Sequence, residues 1–260
     1  MGGAHKRPNQ SPEGDPFVIR RIAPRDLWVS PDRVDPLVKA LTLEQRETDV
    51  RTYLRLLDER VAEREVHEFL AAHTYFFEGF VRMLGSSPVW SKVKLGSDYE
   101  VDFLFFDSAS TGPEWDLVEI EAPDKKLFTK SGDQTAHLTH AIGRVRDWQT
   151  WVRENRTYAQ ENMPHIEYPM GLLVMGRRRD LTQEDRRRLT RINHEQRAWL
   201  KIVSLDRLAE RALQAPLAED GGHWYLPMRA LSHADLSRGL PEHASASPHK
   251  FRYRCRWVTS

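Results

Sequence analysis

The chain has one cysteine, Cys255. A lone thiol closes no internal disulfide and suits a reducing cytosol, so a cytoplasmic location is expected. No apolar run approaches the roughly 18 residues that a membrane span needs, and no membrane partner is expected. The opening MGGAHKRPNQSPEGDP lacks the apolar centre of a signal peptide, and Gly2 is not followed by Ser or Thr where a myristoylation signal requires one. The glycines do not cluster: Gly79, Gly85 and Gly96 stand apart and no Walker pattern occurs. No Gly-x-Ser-x-Gly elbow is present, which leaves an esterase-type triad without support. A dominant charge is missing as well. With a formal net charge of +1 there is no global basic field, so attraction for nucleic acid has to come from local patches.

What is present is enough for a real core: 260 residues, 40% of them hydrophobic. Residues 1–48 read as a disordered or irregular arm, rich in Gly, Pro and charge at its start, with a short strand over 17–22 and three prolines over 23–36. A helical pattern runs over about 43–72, with Leu54, Leu57, Val61, Val66, Phe69 and Leu70 recurring at spacings of three to five. Strands are expected over 90–95 and 99–106, joined by a turn at 96–98, and over 115–121 after a loop at 108–113. Pro123 stops the third. A long helix follows over 134–153, a buried parallel strand over 170–175, a helix over 182–199, a short strand over 201–204 and a helix over 206–213. That order predicts an α/β fold with a mixed sheet between helices, filling 49–215.

Residues 216–260 read as a C-terminal extension, with a Gly221-Gly222 turn and an alternating tail. In the tail Phe251, Tyr253, Cys255 and Trp257 fall on one face, and Lys250, Arg252, Arg254 and Arg256 on the other. Such a strand is either a charged edge that blocks aggregation or a basic strip for a nucleic-acid backbone.

The chemistry concentrates in YEVDFLFF and WDLVEIEAP. Asp102 opens one apolar strand, and Glu119 and Glu121 sit in the next. Alternate residues share a strand face, so Glu119 and Glu121 point the same way with Cα atoms roughly 6.5–7 Å apart. If the two strands pair, Asp102 falls beside Glu119. Two carboxylates about 5 Å apart at an effective dielectric near 20 repel by roughly 3 kcal/mol. A divalent cation removes that cost, and hard oxygen donors select Mg²⁺ or Mn²⁺ over zinc.

An acidic residue on one hairpin strand followed by Glu-x-Lys on the next is the signature of the PD-(D/E)XK nuclease superfamily. The chain resembles its Shedu branch of anti-phage nucleases through EREVHEFLAAHTYFF, YEVDFLFF, WDLVEIEAPDKKLFT, HAIGRVRDWQTW, GLLVMGRRRDLTQEDRRRL and IVSLDRLAERA, in that order over about 60–213. The resemblance implies a PD-(D/E)XK nuclease-like α-β-β-β-α-β core and metal-dependent hydrolysis of DNA phosphodiesters, with DNA and further copies of the chain as partners. Asp102 and Glu119 are then metal ligands, and a metal-bound water attacks phosphorus. Glu65, on the first helix, adds a ligand or positions a water, with Glu68 as the alternative.

The chain departs from the pattern twice. Glu121 stands where the lysine belongs, as a further metal ligand or a general base, and Lys125, Lys126 or Lys130 reaches in from the following loop to replace the lost cation. Arg144 stands where the family often has Gln, as a phosphate ligand or a surface residue. Plainer readings stand beside these. The strand carboxylates can cap or pair with arginines. His137 and His140 fit an ordinary helix surface better than a zinc site. Arg177-Arg178-Arg179 and Arg186-Arg187-Arg188 suit a solvated helix start that pairs internally with Asp180, Glu184 and Asp185. Three functions follow: a DNA endonuclease, a degenerate nuclease fold that binds nucleic acid or protein without cutting, and a glycosidase using paired carboxylates.

Overall fold

A computed structural model describes residues 20–21, 38–39, 41–81, 88–109, 112–215, 226–227, 229–237 and 257–258. Two short strands come first, β1 (Arg20–Arg21) and β2 (Val38–Lys39). Helix α1 (Leu43–Glu59) starts at Thr42, whose side chain accepts from the Gln45 backbone while the Gln45 side chain accepts from the Thr42 N–H, a reciprocal capping box. The expected arm boundary at residue 48 therefore falls inside this helix.

The 43–72 pattern is two helices, not one. Arg60 takes a left-handed φ of 52°, its N–H turns back to Leu56 and Leu57, and α2 (Glu63–Ala72) sets off in a new direction. The break coincides with the five-residue gap between Val61 and Val66, where no helical face is continuous.

A 3-10 turn (Thr74–Phe77) buries four successive residues before the sheet begins. Strand β3 (Val89–Leu95) pairs antiparallel with β4 (Tyr99–Ala109), and β4 with β5 (Gly112–Ile120). The loop expected over 108–113 is mostly ladder, since Ser108 pairs with Pro113 and Ala109 with Gly112. Gly112 supplies the φ of 114° that the tight return requires.

Helices α3 (Ala136–Glu154) and α4 (Arg156–Asn162) cross over to β6 (Met170–Val174), which lies parallel to β5. After α5 (Gln183–Gln196), β7 (Leu200–Val203) extends the parallel half, and α6 (Leu205–Ala212) returns over the sheet. Beyond β8 (Leu226–Pro227), which pairs with β2, the extension contributes β9 (Leu231–Ser232) and α7 (His233–Ser237). Strand β10 (Trp257–Val258) pairs with β1.

The main sheet runs β7-β6-β5-β4-β3-β9. β9 caps it parallel to β3, so part of the C-terminal extension belongs to the central fold. The rest of the tail, the Gly221-Gly222 turn and most of the N-terminal arm lie outside the described residues. One sheet face packs on α3 through Trp90, Val93, Leu104, Leu117, Val145 and Trp148, and the other on α1, α2 and α6 through Phe103, Phe105, Val118, Tyr53, Leu70 and Leu208. No described helix is long and apolar enough to cross a membrane.

Candidate active site

The pleat of β4 is interrupted at Asp102. Val101, Leu104 and Phe106 face α3 while Phe103 and Phe105 face the other way, so strict alternation fails between 101 and 104. The partner strand breaks at the same level: Lys92 has a φ of 51°, and Trp90 and Val93, three apart, share one face. Ser91 pairs with Phe103 and Val93 with Val101, which leaves Lys92 opposite Asp102.

This kink makes a buried aspartate affordable. Lys92 Nζ donates to Asp102 Oδ1 at 2.6 Å, and the Ile120 backbone N–H donates to Oδ2 at 2.8 Å. Both carboxylate oxygens therefore have partners, which a buried charge requires. His67 of α2 donates through Nε2 to the Asp102 carbonyl oxygen at 3.2 Å and stacks on Phe103. Burial holds its pKa below the usual histidine range.

Register places Glu119 beside Asp102. Phe103 pairs with Val118, so the next step along the two strands sets 102 against 119. Glu119 points with Trp115 and Leu117 toward α3, where Arg144 donates to its Oε1. Desolvation first, then the charge of Asp102, with smaller pushes from Glu121 and Glu63, raises Glu119 to about 9 against the pull of Arg144. One guanidinium does not balance the carboxylates around it.

Glu121 follows on the same side, just past the end of β5, its N–H bonded to the Val174 carbonyl. Burial also raises its pKa, opposed by Arg144 and, through space, by Lys125 and His137. The three carboxylates expected to converge do so, and a cation expected only as an option, Arg144, is seated among them.

The helix carboxylate is not the expected one. Glu65 is exposed, and Glu68 is exposed and paired with Arg64 at 3.7 Å. Glu63 is the half-buried residue that feels Asp102, Glu121, Lys92 and Arg144, and its pKa is raised by desolvation and then by those carboxylates. The reason is helical geometry. The buried face of α2 is Val66, His67 and Leu70, and Glu63 lies three and four residues before the first two. Glu65 lies one turn before the half-buried Phe69 instead. The sequence signal was there, in the i, i+3, i+4 relation of Glu63 to Val66 and His67.

Among the loop lysines, Lys125 acts on Glu121. Lys126 is exposed and lines a small cavity with Gly176, Arg177, Asp180 and Asp185, and Lys130 is exposed. Lys92 is a site residue that sequence reasoning missed, although the hairpin register through the 96–98 turn places it across from Asp102. In the first arginine triplet Arg178 and Arg179 are exposed as expected, and Arg177 is not. Arg177, 4% exposed, bridges Asp206 at 3.0 Å and Asp58 at 2.9 Å, tying β6 to α6 and α1. Arg178 pairs with Glu210 and Arg179 with Asp58, rather than with their own helix start. The second triplet follows expectation in part, with Arg187 on Glu184 and Arg188 on Glu184 and Asp185.

The fit of a metal ion can be tested on the donors. Asp102, Glu119, Glu121 and Glu63 are hard oxygen ligands of the right kind. Their placement does not suit an ion. Asp102 has both oxygens engaged, Glu119 carries a guanidinium, and no group of three or more His, Cys, Asp or Glu among the described residues is gathered to hold a metal. The expected ligand set Asp102, Glu119 and Glu121 is thus a neighbourhood and not a cage, because the chain's own cations have taken the space between the carboxylates.

A family model described as Shedu protein SduA, C-terminal, matches residues 60–209. No curated protein matches the chain. Among solved structures, that of the restriction endonuclease FokI bound to DNA is similar at 16% identity and a TM-score of 0.38, over 72% of this chain. The match spans 32% of the length of that enzyme.

Proposed function

The chain belongs to the Shedu SduA C-terminal family, and we propose that it serves anti-phage defence as a nuclease that hydrolyses DNA phosphodiesters. One observation carries this reading: Asp102 and Glu119 meet across β4 and β5 at the end of the sheet, with Glu63 and Glu121 beside them. Four carboxylates against two contacting cations, Lys92 and Arg144, form a costly arrangement that packing alone does not require.

Glu121 is the residue of choice for the general base. Its raised pKa makes it a better proton acceptor than a solvated carboxylate, and it stands at the rim where β5 ends. Arg144 and Lys125 border the same carboxylates and supply positive charge for a phosphate group. The divalent cation in the proposal is Mg²⁺ or Mn²⁺. Since the side chains as they stand do not fit one, its binding requires them to rearrange. Assembly into a homo-oligomer is also part of the proposal and is tested by sedimentation.

The experiment is nicking of supercoiled plasmid in Mg²⁺, in Mn²⁺ and in EDTA, by wild type, Asp102→Ala and Glu119→Ala. Cleavage that needs a divalent ion and is lost in both variants is the expected result. Cleavage indifferent to both substitutions removes the proposal.

A second reading, a nuclease fold that binds DNA without cutting, is favoured by Glu121 in the lysine position and by Arg144 on Glu119. Binding without cleavage in any divalent metal supports it, and a gain of cleavage in Glu121→Lys then shows a competent scaffold.

A further inference from the structure

One edge of the main sheet carries cations without acidic partners. β7 is the outermost strand there, and Trp199 and Lys201 stand at its start. The exposed Arg146 of α3 lies with its guanidinium 5.0 Å over the Trp199 ring. The exposed Lys201 lies with Nζ 5.1 Å over the ring of Phe80, which packs on the opposite face of the sheet. Arg211 of α6 is held by two neutral acceptors, the Glu78 carbonyl at 3.4 Å and Gln214 Oε1 at 2.9 Å, and rests on Gly79, where a Cβ would strike it. Among the described residues Arg146, Lys201 and Arg211 make no ion pair, whereas Arg177, Arg178, Arg179 and Arg188 each have a carboxylate. The acids nearby are otherwise engaged. Glu210 holds Arg178 and Arg207, Asp147 lines the groove beside the 96–98 turn, and burial pushes the Glu78 carboxyl up toward its neutral form. Burial, then the charges of Arg211 and Arg207, holds the Lys201 ammonium below the usual lysine range, as expected of crowded like charges.

We propose that Arg146, Lys201 and Arg211 form a strip around the start of β7 that binds the phosphate backbone of DNA, apart from the carboxylate site. This rests on DNA as the partner and not on cleavage. With a formal net charge of +1 the chain has no global field to draw in a polyanion, so a local concentration of unpaired cations has to do it. Cations interleaved with aromatic rings suit a nucleic-acid strand better than an acidic protein segment, because the rings offer a stacking surface beside the phosphate contacts. Phosphate contacts carry no sequence information, so this binding is independent of sequence. Lys201 pairs with Leu172 and Leu172 with Val118, which sets the strip about 10 Å across the sheet from the strand that carries Glu119.

The test is binding of the full chain to a fluorescein-labelled DNA duplex in EDTA, followed by anisotropy over a series of salt concentrations. Wild type is compared with Arg146→Gln/Lys201→Gln, Arg211→Gln, Arg211→Lys and, as a control on α1, Arg55→Gln. Circular dichroism verifies folding. Each lost phosphate contact lowers the slope of log affinity against log salt by about 1. The double variant is therefore expected to lose about 2 from the slope, and Arg211→Gln about 1, equally on two unrelated sequences. Arg211→Lys keeps the charge while giving up the contacts to Glu78 and Gln214, and it retains the wild-type slope. Arg55→Gln does the same.

A merely structural role for Arg211 makes the lysine and glutamine variants fail alike and leaves the slope unmoved. A wild-type slope in the double variant, an equal drop in Arg55→Gln, or no DNA binding by wild type overturns the proposal. So does a wild type that binds polyglutamate through these residues and DNA not at all, which makes the strip a surface for an acidic protein. The nuclease reading is judged separately by plasmid nicking. A reduced slope in the strip variants, with no nicking by any form, keeps the strip and discards the nuclease. Nicking that depends on Asp102 and Glu119, with the salt slope unmoved by the strip variants, does the reverse.

Discussion

Replacing Glu119 with Gln tests the electrostatics of the site without touching its shape. The carboxyl rises from 4.5 to about 9 on folding. Above pH 4.5 the unfolded chain releases this proton while the folded chain retains it, so the folded state binds more protons and stability falls as pH rises. The contribution is fully present below the unfolded value and is lost progressively as pH climbs toward the folded one. One proton corresponds to about 1.4 kcal/mol per pH unit, so wild type should lose up to about 3 kcal/mol between pH 5.5 and 7.5 from this source. Gln carries no such proton, and its amide oxygen still accepts from Arg144. The variant should therefore match wild type near pH 4.5 and exceed it increasingly toward pH 8.

Because Asp102, Glu121 and Glu63 share the field, the missing slope belongs to the cluster, and Glu119→Gln removes about one proton's worth of it. Urea unfolding followed by tryptophan fluorescence in EDTA, at pH 5.5, 6.5 and 7.5, measures this directly if m is unchanged. Parallel stability curves for the two proteins, or a variant that loses ground as pH rises, would refute the picture of an over-charged buried cluster.

Three other outcomes follow from the same structure. Glu63→Gln should lower plasmid nicking by at least about tenfold, as loss of a site carboxylate does, while Glu65→Gln leaves it unchanged; equal effects would return the choice of helix carboxylate to the sequence expectation. Gly171→Ala should lower stability by about 1–3 kcal/mol in urea, since the new Cβ runs into Val145 and comes within 3.2 Å of Leu200 Cδ1, beneath α3. Arg177→Lys should cost about 1–3 kcal/mol, because an ammonium cannot bridge Asp58 and Asp206 as the guanidinium does; a thermal midpoint equal to wild type contradicts a structural role for that hub.

Some of the site was visible in the chain and some was not, for identifiable reasons. The pairing of 102 with 119 follows from two apolar runs joined by a short return, since the strand period leaves few registers that bury both faces. Lys92 was equally legible, being fixed by the tight 96–98 turn, but its exposed, charged character drew attention away from it. Glu63 was missed because the buried face of α2 is Val66, His67 and Leu70, and the half-buried Phe69, one turn after Glu65, is a poor marker of the side that meets the sheet.

The residues alone determined the order of elements, the mixed sheet and the gathering of acids at one end of it, because hydrophobic period and hairpin length are local properties of the chain. Only the tertiary structure decided what neutralises those acids. Arg144 reaches Glu119 across 25 positions of sequence, and whether it does depends on how α3 is rotated over β5. That rotation is set by the packing of Leu138, Ala141, Val145 and Trp148 against the sheet, a collective fit that no spacing between two charged residues encodes.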